Sequence, residues 1–443
     1  MKKTIIASLL LSILGGATNI AIAATTENGA MTSAVMASAV VQAQQIEPNA
    51  QFSQWLPQVM ARFNNLPEVQ AQAAQAEQAK LSIAAADKAV YNPELGLGYQ
   101  NATEDTYSID ISQTIDWGNK RGVATRIAQL ESEILFSSIT LERNQMLAER
   151  LQALTNQSQA RKALEFQQQQ FNLAKGQLDI ARQRTEVGDL SSVELQLMQL
   201  DVASNAADYA LAEQESIAAD GTVLALFGEH DLPFADFVNS LTQQASNLEV
   251  SPQLPALKSA YQQVLVAKVT AEQAKADTSA DPSISLSAER EGNENKVGLG
   301  LSIPLQIRNN YSEAIAVANQ GIIIAEQTYL AQERALLQQQ AQFSLSFPRL
   351  AARYQDWSEL VLTSGAQAAK SLSQQWQSGD INTSDYLQSQ RQMSGSYLAG
   401  LSLESALYKS WLSWMGDSGQ LEDYLNRQLP SQGAVASAPV QNK

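Results

Sequence analysis

Cysteine is absent and histidine occurs once in 443 residues. Without cysteine there is no disulfide, no thiolate metal centre and no sulfur to carry an N-terminal lipid. The lack also fits an oxidising compartment such as a periplasm. The lone His230 reads as a surface residue, because a metal site gathers several ligands. With no glycine-rich phosphate loop either, the residues argue against an enzyme and call for no cofactor or metal. Basic side chains are few, 29 against 45 acidic ones, a formal charge of −16. Phosphate would repel such a chain, so nucleic acid is excluded as a partner. Apolar runs are short as well. After residue 23 none reaches the ~18 residues of a membrane-spanning helix, so any entry into a bilayer has to use strands.

The first residues read as a secretory signal: Lys2 and Lys3, an apolar run from Ile5 to Leu14, and a small-residue cleavage site at Ala21-Ile22-Ala23. Cleavage after Ala23 leaves 27 basic and 45 acidic side chains, a charge of −18. Residues 24–51, rich in Ala, Ser, Thr and Met, read as a flexible lead-in.

What is present in quantity is helix. Between Asn119 and Val187 there are two glycines, Gly122 and Gly176, and no proline. Apolar residues recur there at steps of three, four and seven: Ile127, Leu130, Ile134, Leu141, Leu147, Leu151, Leu154, Leu164, Phe171 and Leu178. This is a coiled-coil seam on a rod of about 100 Å. Arg126, Glu131, Glu142, Arg150, Arg161 and Lys175 keep it in water. Before it, the period changes to two in 94–100 and again in 107–112, joined by the turn-like 101–105, which predicts a hairpin of strands. After it, Gly188 suits a helix C-cap, and Ser191 with Glu194 forms a capping box. A return helix then runs to about Gly228.

The pattern repeats about 190 residues on. Asn92-Pro93-Glu94-Leu95 is echoed by Asp281-Pro282-Ser283-Ile284, and Gly188-Asp189-Leu190 by Gly379-Asp380-Ile381. The second long helix, from about 310 to 378, contains Pro348, where a kink is predicted. The chain divides as 1–23 signal, 24–51 lead-in, 52–229 first repeat with strand hairpin 94–115, 230–251 irregular insert, 252–416 second repeat with strand hairpin 283–305, and 417–443 C-terminal segment ending in a disordered tail.

The strands put Leu95, Leu97, Tyr99, Tyr107, Ile109, Ile111, Ile284, Leu286, Val297, Leu299, Leu301 and Ile303 on one face, and glycine, serine, Asp110 and Lys296 on the other. Apolar outside and polar inside describes a water-filled membrane barrel whose first set of residues faces lipid. Four strands cannot close one, since a barrel needs about eight and lipid tolerates no open edge. Several copies of the chain must therefore share one cylinder. A soluble sandwich would not explain two helices of ~100 Å on the same hairpins, and a soluble periplasmic coiled-coil adaptor would not need strands with lipid-like faces.

With Asn92-Pro93-Glu94-Leu95, Ser112-Gln113-Thr114-Ile115, Gly118-Asn119-Lys120-Arg121-Gly122 and 308–314 in order and twice over, the chain resembles the TolC family of outer-membrane efflux proteins, most of all its heavy-metal (CzcC-like) branch. That branch has Gly-Gly-Lys-Arg where this chain has Gly118-Asn119-Lys120-Arg121. The resemblance implies an α+β membrane protein, a homotrimer with a twelve-stranded outer-membrane barrel continued by a long α-helical periplasmic tunnel. It also implies a periplasmic adaptor, an inner-membrane pump and a passive exit duct. The cargo is heavy-metal cations in that branch, with drugs or secreted polypeptides as the alternative. Its adaptor-contact pattern falls on Arg184, Gly188 and Ser191. The second tip offers Gly379 and Thr383, with Gln375 in the place of the arginine. Asp189, Asp380 and Asp385 are pore-gate candidates, and equally turn and cap residues in water.

Overall fold

The computed structural model describes residues 50–429, apart from 102, 230, 243–249 and 306. The expected signal segment, the lead-in up to residue 49, His230 and the tail from 430 lie outside the described residues. Two short helices, α1 (Ala50–Ser53) and α2 (Leu56–Asn64), precede α3 (Pro67–Ala86). α1 and α2 are separate helices, divided around Trp55. Pro57, lacking an amide hydrogen, belongs in the first turn of a new helix rather than inside an old one.

The first hairpin, β1 (Glu94–Gln100) and β2 (Thr106–Thr114), leads into α4 (Lys120–Glu186), a helix of 67 residues. The return helix is α5 (Ser192–Phe227), and the insert holds α6 (Val238–Thr242). The plan then recurs as α7 (Pro255–Asp277), β3 (Ser283–Glu291), β4 (Glu294–Ser302) and α8 (Ser312–Trp357). A π-helical turn (Ser358–Leu362), α9 (Thr363–Ser378), the return helix α10 (Thr383–Ser418) and α11 (Leu421–Gln428) complete it.

Both rods start in the same way. Asn119 and Tyr311 sit in the left-handed region, at φ 55° and 58°. Asp116 accepts the amides of Lys120 and Arg121 at 2.8 and 2.9 Å; Asn309 and Asn310 accept those of Tyr311 and Ser312 at 2.9 and 3.2 Å. Short polar side chains thus take up amides that have no partner in the first helical turn.

The second rod carries an irregularity that the sequence does not announce. α8 continues through Pro348 and breaks at the π-helical turn. Phe343, Phe347, Ala351 and Tyr354 are buried on either side of the proline. At the turn, the Trp357 indole donates to the Ser396 carbonyl at 2.9 Å. Its ring fills the space over Gly400, where a Cβ would meet a ring carbon at 1.9 Å.

Two apolar cores result. The larger gathers Phe52, Trp55, Phe63, the Leu147 to Leu154 stretch of α4, Phe237, Tyr408 and Trp411 at mid-length; the smaller gathers Leu178, Ala181, Leu190, Met198, Trp376, Tyr386 and Leu387 at the helical tips. Arg150, expected among the solvated charges of α4, is only 5% exposed. Its Nη1 donates to the Met146 carbonyl at 3.3 Å, and its guanidinium lies 5.9 Å from the Phe63 ring centre. Periodicity places a charge beside a seam, but it does not show that the Phe63 ring of α2 lies against it.

Candidate functional site: strand faces and helical tips

The four strands form one antiparallel sheet in the order β1-β2-β3-β4, so that β2 and β3 join the two repeats. The register sorts side chains into rows. Leu95 lies opposite Ile111, Ile111 opposite Leu286 and Leu286 opposite Leu299; the next row is Leu97, Ile109, Ala288 and Val297. All twelve residues assigned to lipid are exposed, up to 81% for Leu299, and Ile303 sits one residue beyond β4. The alternate rows are Gly96, Asp110, Ser287 and Gly298, then Gly98, Ser108, Glu289 and Lys296. On this face the edge-strand glycines lie against bulkier polar groups, and a Cβ at Gly96 would fall 2.3 Å from the Asp110 carboxylate. The outer edges of β1 and β4 have no partner strand among the described residues.

Tyr99 and Tyr107 pair at the hairpin end of the apolar face, with ring centres 5.2 Å apart. At the other end Trp117 is exposed. Beside it, Asp281 accepts from the Tyr91 hydroxyl and from Lys120 Nζ, both at 2.7 Å, and from the Trp117 amide at 3.1 Å. Burial works against the Asp281 carboxylate, but these bonds outweigh it and hold its titration below the usual range. The knot ties both repeats together where strands become helices. Sequence reading misses it, although Asp281 stands where the first repeat has Asn92.

At the far end of the rods are two tips with the same backbone. Gly188 and Gly379 both have φ 80°, a conformation that favours glycine. The Asp189 amide reaches the Arg184 carbonyl at 2.8 Å, and the Asp380 amide reaches the Gln375 carbonyl at 2.9 Å, closing the last turn of α4 and of α9. Ser191 and Glu194 form the expected capping box; Asn382 and Asp385 cap α10 in a similar way.

The side chains differ. Arg184 donates through Nε to Asp189 at 2.6 Å and through Nη1 to the Trp376 carbonyl at 2.8 Å, with its guanidinium 5.5 Å from the Trp376 ring centre. One cation therefore serves the C-termini of two helices. Thr383, expected on the surface, is 1% exposed. It accepts from the Trp376 indole at 3.2 Å and donates to Glu194 at 3.1 Å, so it joins the tips from inside and presents nothing to a partner. Hydrogen bonds from Ser191, first of all from its amide, hold Glu194 below its usual titration range.

The three gate candidates are engaged locally. Asp189 takes Arg184, Asp380 accepts from the Ser378 hydroxyl at 2.5 Å, and Asp385 accepts from Asn382 at 2.8 Å. A further link joins the return helices, with Arg391 of α10 3.7 Å from Asp201 of α5. Burial pushes the Asp201 carboxyl up, against the pull of Arg391.

No family model and no curated protein matches the chain. Among solved structures it is similar to the outer-membrane channel OprN, at 14% identity over 84% of this chain and 94% of that one, with a TM-score of 0.69. It is also similar to the CmeC outer-membrane channel of Campylobacter jejuni, at 12% identity over 93% and 98%, TM-score 0.65. A third is the open state of the MtrE outer-membrane channel of Neisseria gonorrhoeae, at 12% identity over 82% and 88%, TM-score 0.64. The chain has an outer-membrane channel fold. The resemblance to the TolC family is supported at that level. The strand faces and the tips lie at opposite ends of one 67-residue helix.

Proposed function

We propose that the chain is an outer-membrane exit duct of a tripartite efflux assembly, a homotrimer in which three four-stranded sheets close one barrel. The observation that carries this reading is the sheet register, which gives rows of exposed apolar side chains, rows of polar ones and two unpaired outer strands. An open edge is forbidden in lipid, and edge-to-edge joining of copies removes it. From Tyr107 to Thr114 β2 spans about 23 Å of extended chain, and Trp117 lies past its end beyond a tight turn in which its amide bonds the Ile115 carbonyl. At the ~40° tilt of barrel strands this becomes about 18 Å, which with Trp117 beyond the strand end fits within an outer-membrane apolar band of about 25 Å with aromatics at both rims.

From the barrel, α4, α5 and α8 to α10 continue as the wall of a periplasmic tunnel. The tips meet a periplasmic adaptor through the exposed Gly188, Gly379 and Ser191, and an inner-membrane pump delivers the cargo. Adaptor binding shifts a population from tips held together to tips apart. The contacts that resist it within one chain are those of Arg184, Thr383 with Glu194, and Arg391 with Asp201. The cargo is heavy-metal cations; this rests on the motif resemblance and on the acidity of the chain.

The mature chain, purified in detergent and added to a planar bilayer, is expected to run as a trimer and to conduct ions. A monomer that leaves the bilayer insulating would overturn the duct. In a host stripped of its own duct, restored tolerance to metal cations supports the cargo, whereas restored tolerance to drugs alone replaces it.

A further inference from the structure

At mid-length, three elements distant in sequence meet in one ionic cluster, with Glu404 buried and Lys162 and Asp236 half-buried. Lys162 of α4 donates through Nζ to Asp236 of the insert at 2.5 Å and to Glu404 of α10 at 2.8 Å. Tyr408, one helical turn beyond Glu404, donates its hydroxyl to Asp236 and accepts from the Phe237 amide at 2.7 Å. The Val238 amide also donates to Asp236, at 3.0 Å. Phe237 in turn packs on Phe52, Trp55, Tyr408 and Trp411. Through Asp236, therefore, the cluster holds the insert in the larger core.

Glu404 is 3% exposed. Tyr397 and Tyr408 face the cluster from α10 and Tyr354 from α8, all phenols whose titration burial pushes up, and Glu165 of α4 lies near Tyr397. Against these the ammonium of Lys162 meets two carboxylates. With both ionised, Lys162, Asp236 and Glu404 sum to −1, the Glu404 carboxylate being withdrawn from water while Lys162 and Asp236 stay about a third exposed. Ionising a buried carboxylate beside a second one is expensive, and one proton shared between the two removes that cost.

We propose that Asp236 and Glu404 hold a single proton between them, and that this proton, with Lys162, latches the insert to α4 and α10. The latch is closed in mildly acid water and loosens as the pH rises.

The titrations run the same way. Burial, then the hydrogen bond and charge of Asp236, push the Glu404 carboxyl up to about 7. Burial opposes ionisation of Asp236 too, but hydrogen bonds from Glu404 and Lys162 outweigh it and hold it down at about 2. An undocked Glu404 releases its proton near 4.5, whereas the docked one keeps it to about 7, so docking weakens as pH climbs between those values and stays weaker above. Asp236 acts in the opposite sense, its stabilisation being lost only as pH falls from 3.8 towards 2. The latch is tightest between about pH 4 and 5.

The test is amide hydrogen exchange of residues 231–242 in the full chain in micelles, corrected for the intrinsic rate, at about pH 5 and about pH 8.5. At the higher pH these amides are expected to exchange at least about ten-fold faster, the equivalent of one unit of the shift, while the β2–β3 ladder is unchanged. Glu404→Gln keeps a hydrogen-bond donor without a charge and should exchange slowly at both. Equal corrected rates in the natural chain, or a pH dependence that survives Glu404→Gln, would overturn the latch. If that variant does not fold, carbon-13 titration of the Glu404 carboxyl in the natural chain decides. A midpoint near 7 supports the latch, and one at the ordinary 4.5 sinks it.

Discussion

The two helical tips share a backbone and differ in how they are held. Each ends a long helix with a left-handed glycine and starts the return helix with a side-chain cap, yet only the first carries a cation. Arg184 spans both, binding Asp189 of its own turn and the Trp376 carbonyl of the other. Gln375 stands where a second arginine would. Its carbonyl receives the Asp380 and Ile381 amides just as the Arg184 carbonyl receives those of Asp189 and Leu190. The repeats have become complementary: the first tip supplies charge, and the second supplies the buried indole beneath it.

The largest break in this comparison is to empty the second tip. Trp376 is fully buried, stacks on Tyr386 with ring centres 5.1 Å apart and donates to Thr383. Trp376→Ala is expected to destabilise that tip by about 3–5 kcal/mol. The readout is amide exchange at Asp380 and Ile381, against Asp189 and Leu190. A larger acceleration at the second pair is expected; equal acceleration would make the tips one cooperative unit and dissolve the comparison.

Removing the shared cation comes next. Arg184→Ala deletes two charge-assisted hydrogen bonds from a side chain only 17% exposed, a loss of about 2 kcal/mol. Exchange should quicken at both tips. If only Asp189 and Leu190 respond, the arginine is a private cap of α4 and not a strut.

Particular residues show what the sequence can and cannot reveal. The period-two runs around Leu97 and Leu299 are visible because a strand alternates its side chains between two faces, and the sheet register lines those runs up across four strands. Gly188 and the Ser191–Glu194 box are visible because left-handed turns and helix starts are local, closing within a few residues. Thr383 and Arg150 are buried against expectation, because burial on a helix depends on its rotation against neighbours far away in the chain. The Lys162, Asp236 and Glu404 cluster joins positions 74 and 242 residues apart, and no local pattern marks such a pairing. Pro348 marks an expected kink, whereas the π-helical turn at Ser358–Leu362 carries no proline or glycine to announce it.

The smallest effect sharpens the comparison most. Gln375→Arg in the natural chain puts a second cation where the α9 C-terminus is already served, at an exposed position, so the change in tip stability should stay within about 0.5 kcal/mol. In the Arg184→Ala background the same substitution has work to do. An arginine at 375 occupies the same place in its turn as Arg184 does in the first, so it can reach Asp380 as Arg184 reaches Asp189. It should recover roughly half of the lost stability at Asp380 and Ile381, and none at Asp189 and Leu190. Recovery at both tips would mean that any cation in this region suffices through its field alone. No recovery would mean that the hydrogen bond to the Trp376 carbonyl, which only the first tip can make, is what Arg184 contributes.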